Sequence, residues 1–135
     1  LMQNRIAAAV SLDLSSAYDT VSLPALVSKL FVLGIPHRFI THVHKWLSYR
    51  QLTFVGSQHT LTRSTVKGLP QGCVLSPILF SLYISDVGIQ LPKEIQPFLY
   101  ADDLTLVCSG TRFDGVDARM REALSSLTQY CQLLS

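Results

Sequence analysis

The chain has 135 residues, is 48% hydrophobic and 15% charged, and carries a formal net charge of +2. That balance excludes a disordered chain and suits one globular domain with a real core. Its most apolar long segment, Val74 to Leu91, contains Pro77 and Asp86 and reads as a buried helix, not a membrane span; the first residues do not read as a basic-then-apolar signal segment.

Residues 5–14, RIAAAVSLDL, alternate with period two. Ile6, Ala8, Val10, Leu12 and Leu14 form a greasy face, and Ala7, Ala9, Ser11 and Asp13 a small, polar one. The greasy face predicts a central strand ending in a carboxylate. A helix follows, with Ser22 as cap, Pro24 in the first turn and Gly34 as stop. Pro36 opens a second helix through Phe39, Ile40, Val43, Trp46 and Leu47, and residues 51–67 read as two strands joined around Gly56 and Ser57. After the loop KGLPQGCVLSP, Ser76 and Pro77 predict the cap and first turn of a core helix from about Pro77 to Val87.

Residues 97–108, PFLYADDLTLVC, read as a hairpin with Asp102 and Asp103 at its tip. Val116, Met120, Leu124, Leu127, Cys131 and Leu134 then recur at helical spacing, and the pattern runs to Ser135. The expected fold is one α+β domain. An apolar strand so near residue 1 and a helix running to the end give the look of a piece of something longer.

No Asp or Glu occurs from Thr20 to Ser85, whereas Lys29, Arg38, Lys45, Arg50, Arg63 and Lys67 all lie there. Such a tract suits a polyanionic partner, although six scattered, solvated cations read the same way. Cys73, Cys108 and Cys131 show no paired spacing and imply free thiols in a reducing, intracellular compartment. His37, His42, His44 and His59 have no zinc-ligand spacing with the cysteines and read as surface residues. There is no phosphate-binding G-x-x-x-x-G-K-[ST] loop and no G-x-S-x-G elbow.

An Asp-Asp hairpin tip by itself is an ordinary solvated turn. If the 6–13 strand and the 97–108 hairpin share a sheet, Asp13 meets Asp102 and Asp103 at one edge. Two unit charges ~4 Å apart repel by about 4 kcal/mol at an effective dielectric near 20, so such a cluster needs protons or cations. Hard oxygen donors favour Mg²⁺ or Mn²⁺, and a pair of such ions suits phosphoryl transfer without a protein nucleophile.

With these pieces in order, the chain resembles the palm of reverse transcriptases, most closely the LINE-type (non-LTR) retrotransposon branch. The matching stretches are SLDLSSAYDTV at 11–21, GLPQGCVLSPILFSLYISD at 68–86 and FLYADD at 98–103, with the weaker GIPHRFITHVHKWLSYRQLTFVG between them. The resemblance implies a polymerase palm: a small antiparallel sheet packed on helices, with Asp13, Asp102 and Asp103 as catalytic, metal-binding residues at one edge of the sheet. It implies two Mg²⁺ ions, for which Mn²⁺ can substitute, and the Leu14 carbonyl as an additional ligand. Tyr18 takes the place of the family's aromatic gate against the sugar 2′-OH; the residue-level alternative is a core aromatic. Pro70, Gln71 and Gly72 would lie against template and incoming nucleotide; the alternative is a plain helix lead-in. The implied partners are an RNA template, a DNA primer and deoxynucleoside triphosphates, with no membrane and a nuclear location.

Ser16 departs from the family, which often has Lys there. The resemblance covers the palm with part of the fingers. It places the N-terminal fingers before residue 1 and the thumb after residue 135, and no endonuclease domain falls within the chain. The 135 residues alone are therefore expected to be inactive. A group II intron type reverse transcriptase shares Y-A-D-D and P-Q-G, but F-S-L-Y-I-S-D favours the LINE type. A decayed, non-catalytic nucleic-acid-binding relic is the rival from another class, and the intact aspartates argue against it.

Overall fold

A computed structural model describes residues 5–57 and 59–134, which fall into two compact units. Ser135, the expected end of the last helical pattern, lies outside the described residues.

The first unit combines the described residues through Ala17 with Ile84–Leu134. The alternating segment forms β1 (Ile6–Asp13), and the hairpin forms β4 (Ile95–Tyr100) and β5 (Asp103–Gly110). The three strands make one antiparallel sheet in the order β1-β5-β4. β5 is therefore the central strand and β1 an edge strand, contrary to the expectation from β1's greasy face. Alternation reports which face is buried; it does not report how many neighbours a strand has. Ala8, Val10 and Leu12 are partly buried against a core that includes Leu104, Leu106 and Cys108 from β5. β4 forms the other edge, where Pro97, lacking an amide hydrogen, is tolerated.

The core is closed by α4 (Phe113–Leu134). Its buried positions are Val116, Met120, Ala123, Leu127 and Tyr130, with Leu124 and Leu134 partly buried. The sequence pattern assigns Cys131 to this face, but it is exposed, and Ala123 and Tyr130 take the central line instead. Burial by its neighbours still pushes the Cys131 thiol up. Tyr130 escapes an apolar periodicity because it is amphipathic: its ring packs in the core while its hydroxyl donates to Asp86 Oδ1 at 2.5 Å. That bond ties a half-buried carboxylate in the loop after residue 83 to the last helix. Tyr130→Phe is expected to lower stability by about 1–3 kcal/mol, as bonds to charged groups do, measured as a shift in the urea midpoint. An unchanged midpoint would show that the bond contributes nothing.

The second unit is Tyr18–Tyr83. It holds α1 (Leu23–Val32), α2 (His37–Ser48), the strands β2 (Arg50–Val55) and β3 (Thr60–Thr65), and α3 (Leu75–Tyr83). Helix α1 starts and stops where read, with a proline in the first turn and Gly34 at φ +73 just beyond its end; Ser22 stands at the cap position, but its side chain makes no capping hydrogen bond. It packs against α2 and α3, burying Leu26 and Leu30 completely. Tyr83 grips this helix at both ends. Its hydroxyl accepts from the Ser22 amide at 3.2 Å, and its carbonyl accepts from the Lys29 ammonium, which also lies 5.7 Å from the Tyr83 ring centroid.

Helix α3 begins two residues before the expected Pro77 start and ends four short of Val87. Ser76 is buried inside its first turn and donates to the Pro70 carbonyl at 2.6 Å, so its hydroxyl serves the preceding loop and not a cap. β2 and β3 pair as an antiparallel ribbon. No helix among the described residues is long and apolar enough to cross a membrane, and the three cysteines are free.

Candidate active site

In the first unit, the strand register decides where the three aspartates fall. β1 and β5 run antiparallel with Asp13 directly opposite Asp103. Two positions along, Ser11 and Thr105 are opposite each other with their hydroxyls 3.0 Å apart, so this row of side chains shares the sheet face away from Leu12 and Leu104. Directly opposed residues in an antiparallel pair bring their Cβ atoms to roughly 4.5–5.5 Å.

The β4–β5 hairpin pairs Tyr100 with Asp103, which leaves Ala101 and Asp102 as a two-residue turn. Ala101 sits at φ +53, the left-handed conformation that tight hairpin turns demand and that glycine or asparagine more often supplies. The turn is tied to the end of β1, because the Leu14 amide donates to the Asp102 carbonyl at 3.4 Å. The Leu14 carbonyl accepts from the Ala17 amide at 3.0 Å, leaving its second lone pair available to a ligand.

Asp13 and Asp103 are exposed and Asp102 half-buried. Among the described residues, no three His, Cys, Asp or Glu side chains converge as a ready-made metal cage. Carboxylate oxygens are hard donors of the kind that hold a divalent cation, which completes its shell with water and substrate phosphates.

In the second unit, Tyr18 is half-buried and one side of its ring stacks on the buried Phe80, with centroids 4.9 Å apart and planes at 26°. The partner is not legible in the sequence, since it stands more than sixty positions on, in α3. The Pro70-Gln71-Gly72 loop is strapped to residues 18–21. The Gly68 amide donates to the Val21 carbonyl at 2.9 Å, and the Leu69 amide to the Tyr18 carbonyl at 2.7 Å. Gly68, at φ +80, lies so close to this segment that a Cβ there would sit 2.7 Å from the Asp19 carbonyl oxygen. A side chain has no room at that position.

Arg50 completes the strap, with Nη2 donating to the Lys67 and Gly68 carbonyls at 2.5 and 2.6 Å. Gln71 is exposed and its amide nitrogen faces both Asp19 carboxylate oxygens at 3.4 Å. Gly72 needs its hydrogen side chain for conformation alone: it adopts φ +80 with open space where a Cβ would stand.

The acid-free basic tract is thus not a uniform surface. Lys29 and Arg50 are bonded to internal carbonyls, whereas Arg38, Lys45, Arg63 and Lys67 are exposed. The four histidines are exposed, as their spacing indicates.

The described residues make an α+β arrangement of two small antiparallel sheets and four α-helices. Residues 2–133 match the family described as reverse transcriptase (RNA-dependent DNA polymerase). The chain belongs to that family.

Its relatives include the probable RNA-directed DNA polymerase from transposon BS of Drosophila melanogaster, 28% identical over 92% of this chain and 14% of the relative. The RNA-directed DNA polymerase from mobile element jockey of Drosophila melanogaster is 26% identical over 97% of this chain and 15% of the relative. The Pol polyprotein from the type-1 retrotransposable element R2 of Popillia japonica is 28% identical over 73% of this chain and 18% of the relative. These relatives agree with the LINE-type branch. The chain spans under a fifth of each of them.

Proposed function

We propose that this chain is the palm, with part of the fingers, of the RNA-directed DNA polymerase of a non-LTR retrotransposon. The observation that carries the reading is the register that sets Asp13 opposite Asp103 beside the Asp102 turn, in a member of this family. The reaction is addition of a deoxynucleotide to a DNA primer 3′-OH on an RNA template, with pyrophosphate leaving.

Asp13 and Asp102 are the principal holders of two Mg²⁺ ions, supported by Asp103 and the Leu14 carbonyl; Mn²⁺ can replace Mg²⁺. Bound there, the ions supply charge neutralisation at the phosphates and a template for in-line displacement. Tyr18 packs against the sugar of the incoming nucleotide and excludes a 2′-hydroxyl. Gln71, between Pro70 and Gly72, contacts nucleotide and template. Primer and template are held by backbone and A-like shape, not by sequence.

The test uses the complete polymerase containing this chain, an RNA template, an annealed DNA primer and deoxynucleoside triphosphates. Template-dependent extension that stops on chelation of divalent ions is expected. Nucleotide addition indifferent to the template sequence, or to chelation, would overturn the assignment.

A further inference from the structure

We infer that Asp19 is a positioning residue that sets the direction of the Gln71 side-chain amide, so that Gln71 meets the substrate with its oxygen, a hydrogen-bond acceptor. The inference rests on the proposal that Gln71 contacts nucleotide or template, and it adds what end of the amide is presented and which residue decides it.

The two ends of a glutamine amide differ chemically: NH₂ only donates and C=O only accepts. A carboxylate offers no donor, so the end of Gln71 that faces Asp19 has to be the nitrogen. Nε2 lies 3.4 Å from Oδ1 and 3.4 Å from Oδ2, a forked contact longer than a typical N–H···O bond. Such a contact adds little to stability between exposed groups. It does break the near-symmetry between the two amide orientations, and Oε1 is thereby turned away from Asp19. A substrate donor, such as a sugar hydroxyl or a base N–H, is the group that this oxygen would accept from.

The backbones carrying the two side chains are fixed against each other independently of this contact. Gly68 and Leu69 donate to the carbonyls of Val21 and Tyr18, on either side of Asp19. The close approach of Gly68 to the Asp19 backbone, the Arg50 bonds to Lys67 and Gly68, and the Ser76 bond to Pro70 hold the loop up to the residue before Gln71. Asp19 and Gln71 are 52 positions apart in the chain, so the fold, through this strap, and not sequence proximity brings them together. Orienting groups of this kind matter where a reading side chain has to be presented in one geometry.

The experiment is a double-mutant cycle in the complete polymerase. Wild type, Asp19→Ala, Gln71→Ala and the double variant are compared for kcat and KM of a templated deoxynucleotide, with Asp19→Asn added as the conservative variant. Asp19→Ala is expected to lower kcat/KM about tenfold, mostly through KM, with an unchanged melting temperature. Asp19→Asn, whose own amide oxygen still accepts from Gln71, should recover most of that loss. In the Gln71→Ala background, Asp19→Ala should have no further effect.

If the two losses multiply, Asp19 acts independently of Gln71 and the inference is wrong. An effect of Gln71→Ala with none from Asp19→Ala likewise rejects the inference and leaves the Gln71 contact standing. No effect of Gln71→Ala itself removes the underlying contact, and the inference falls with it.

Discussion

In the complete polymerase, Asp13→Asn and Asp102→Asn are each expected to lower nucleotide addition by on the order of a thousandfold or more, while the protein remains folded. The reasoning starts from the strand ends. Asp13 terminates β1 opposite Asp103, and Asp102 lies in the turn that the Leu14 amide ties to β1. Asp13 is exposed and Asp102 half-buried, and Asn has nearly the shape of Asp, so exchanging either carboxylate for an amide removes charge without opening a cavity. On the proposed assignment, what is lost is an anionic oxygen that would hold a divalent ion. Several kcal/mol of transition-state stabilisation depend on such an ion, and each 1.36 kcal/mol is a factor of about ten in rate. Asp103→Asn should be severe but less complete, because the proposal gives it the supporting role. The measurements are single-nucleotide primer extension and a thermal melt on the same preparations. Extension at the wild-type rate by Asp13→Asn or Asp102→Asn sinks the assignment; loss of extension together with the melting transition points to a folding defect.

Tyr18→Ala, in the same complete enzyme, is expected to raise incorporation of ribonucleotides relative to deoxyribonucleotides by roughly ten- to a hundredfold. The half-buried ring has one face stacked on Phe80. A stacked ring is a rigid wall. On the proposed gate role, a deoxyribose would pack against it, whereas a ribose would drive its 2′-OH into it, so the selection would be a clash and not an added attraction. Steric discrimination at the scale of one small group is worth about 1–3 kcal/mol, which sets the expected range. Tyr18→Phe keeps the stack and the wall and should keep the selectivity, since the hydroxyl has no part in it. The competing view is a plain core aromatic, for which truncation costs stability and leaves substrate preference alone. The ratio of kcat/KM values for matched ribo- and deoxyribonucleotides separates the two. An unchanged ratio with a lowered melting temperature makes Tyr18 a core residue.

Signals carried by neighbouring residues are legible in the amino-acid sequence by itself. Period-two alternation locates β1, and the apolar runs flanking Asp102 and Asp103 locate the β4–β5 hairpin. Ser22, Pro24 and Gly34 bound α1. Each rests on dihedral preference or side-chain direction within a few residues, which the sequence specifies directly. The three motifs, read in order, likewise lead to the family that residues 2–133 match.

Tertiary structure decides whatever depends on residues far apart in the chain. β1 is an edge strand because β5 takes β4 as its other neighbour, and a strand's own residues cannot announce that. The buried line of α4 runs through Ala123 and Tyr130, where a small side chain and an amphipathic ring meet the sheet, and leaves Cys131 exposed. Ser76 has the chemistry of a helix cap, but the Pro70 carbonyl claims its hydroxyl. Lys29 and Arg50, indistinguishable by sequence from the exposed cations of the same tract, are bonded to backbone carbonyls. In the sequence Asp19 is only an acid six residues after Asp13; its place beside Gln71 follows from the strap through Gly68 and Leu69. Periodicity, capping and turn chemistry act over one or two turns of chain, whereas a hydrogen-bond partner or a sheet neighbour is selected by the packing of the whole unit, and there the local pattern leaves several arrangements equally open.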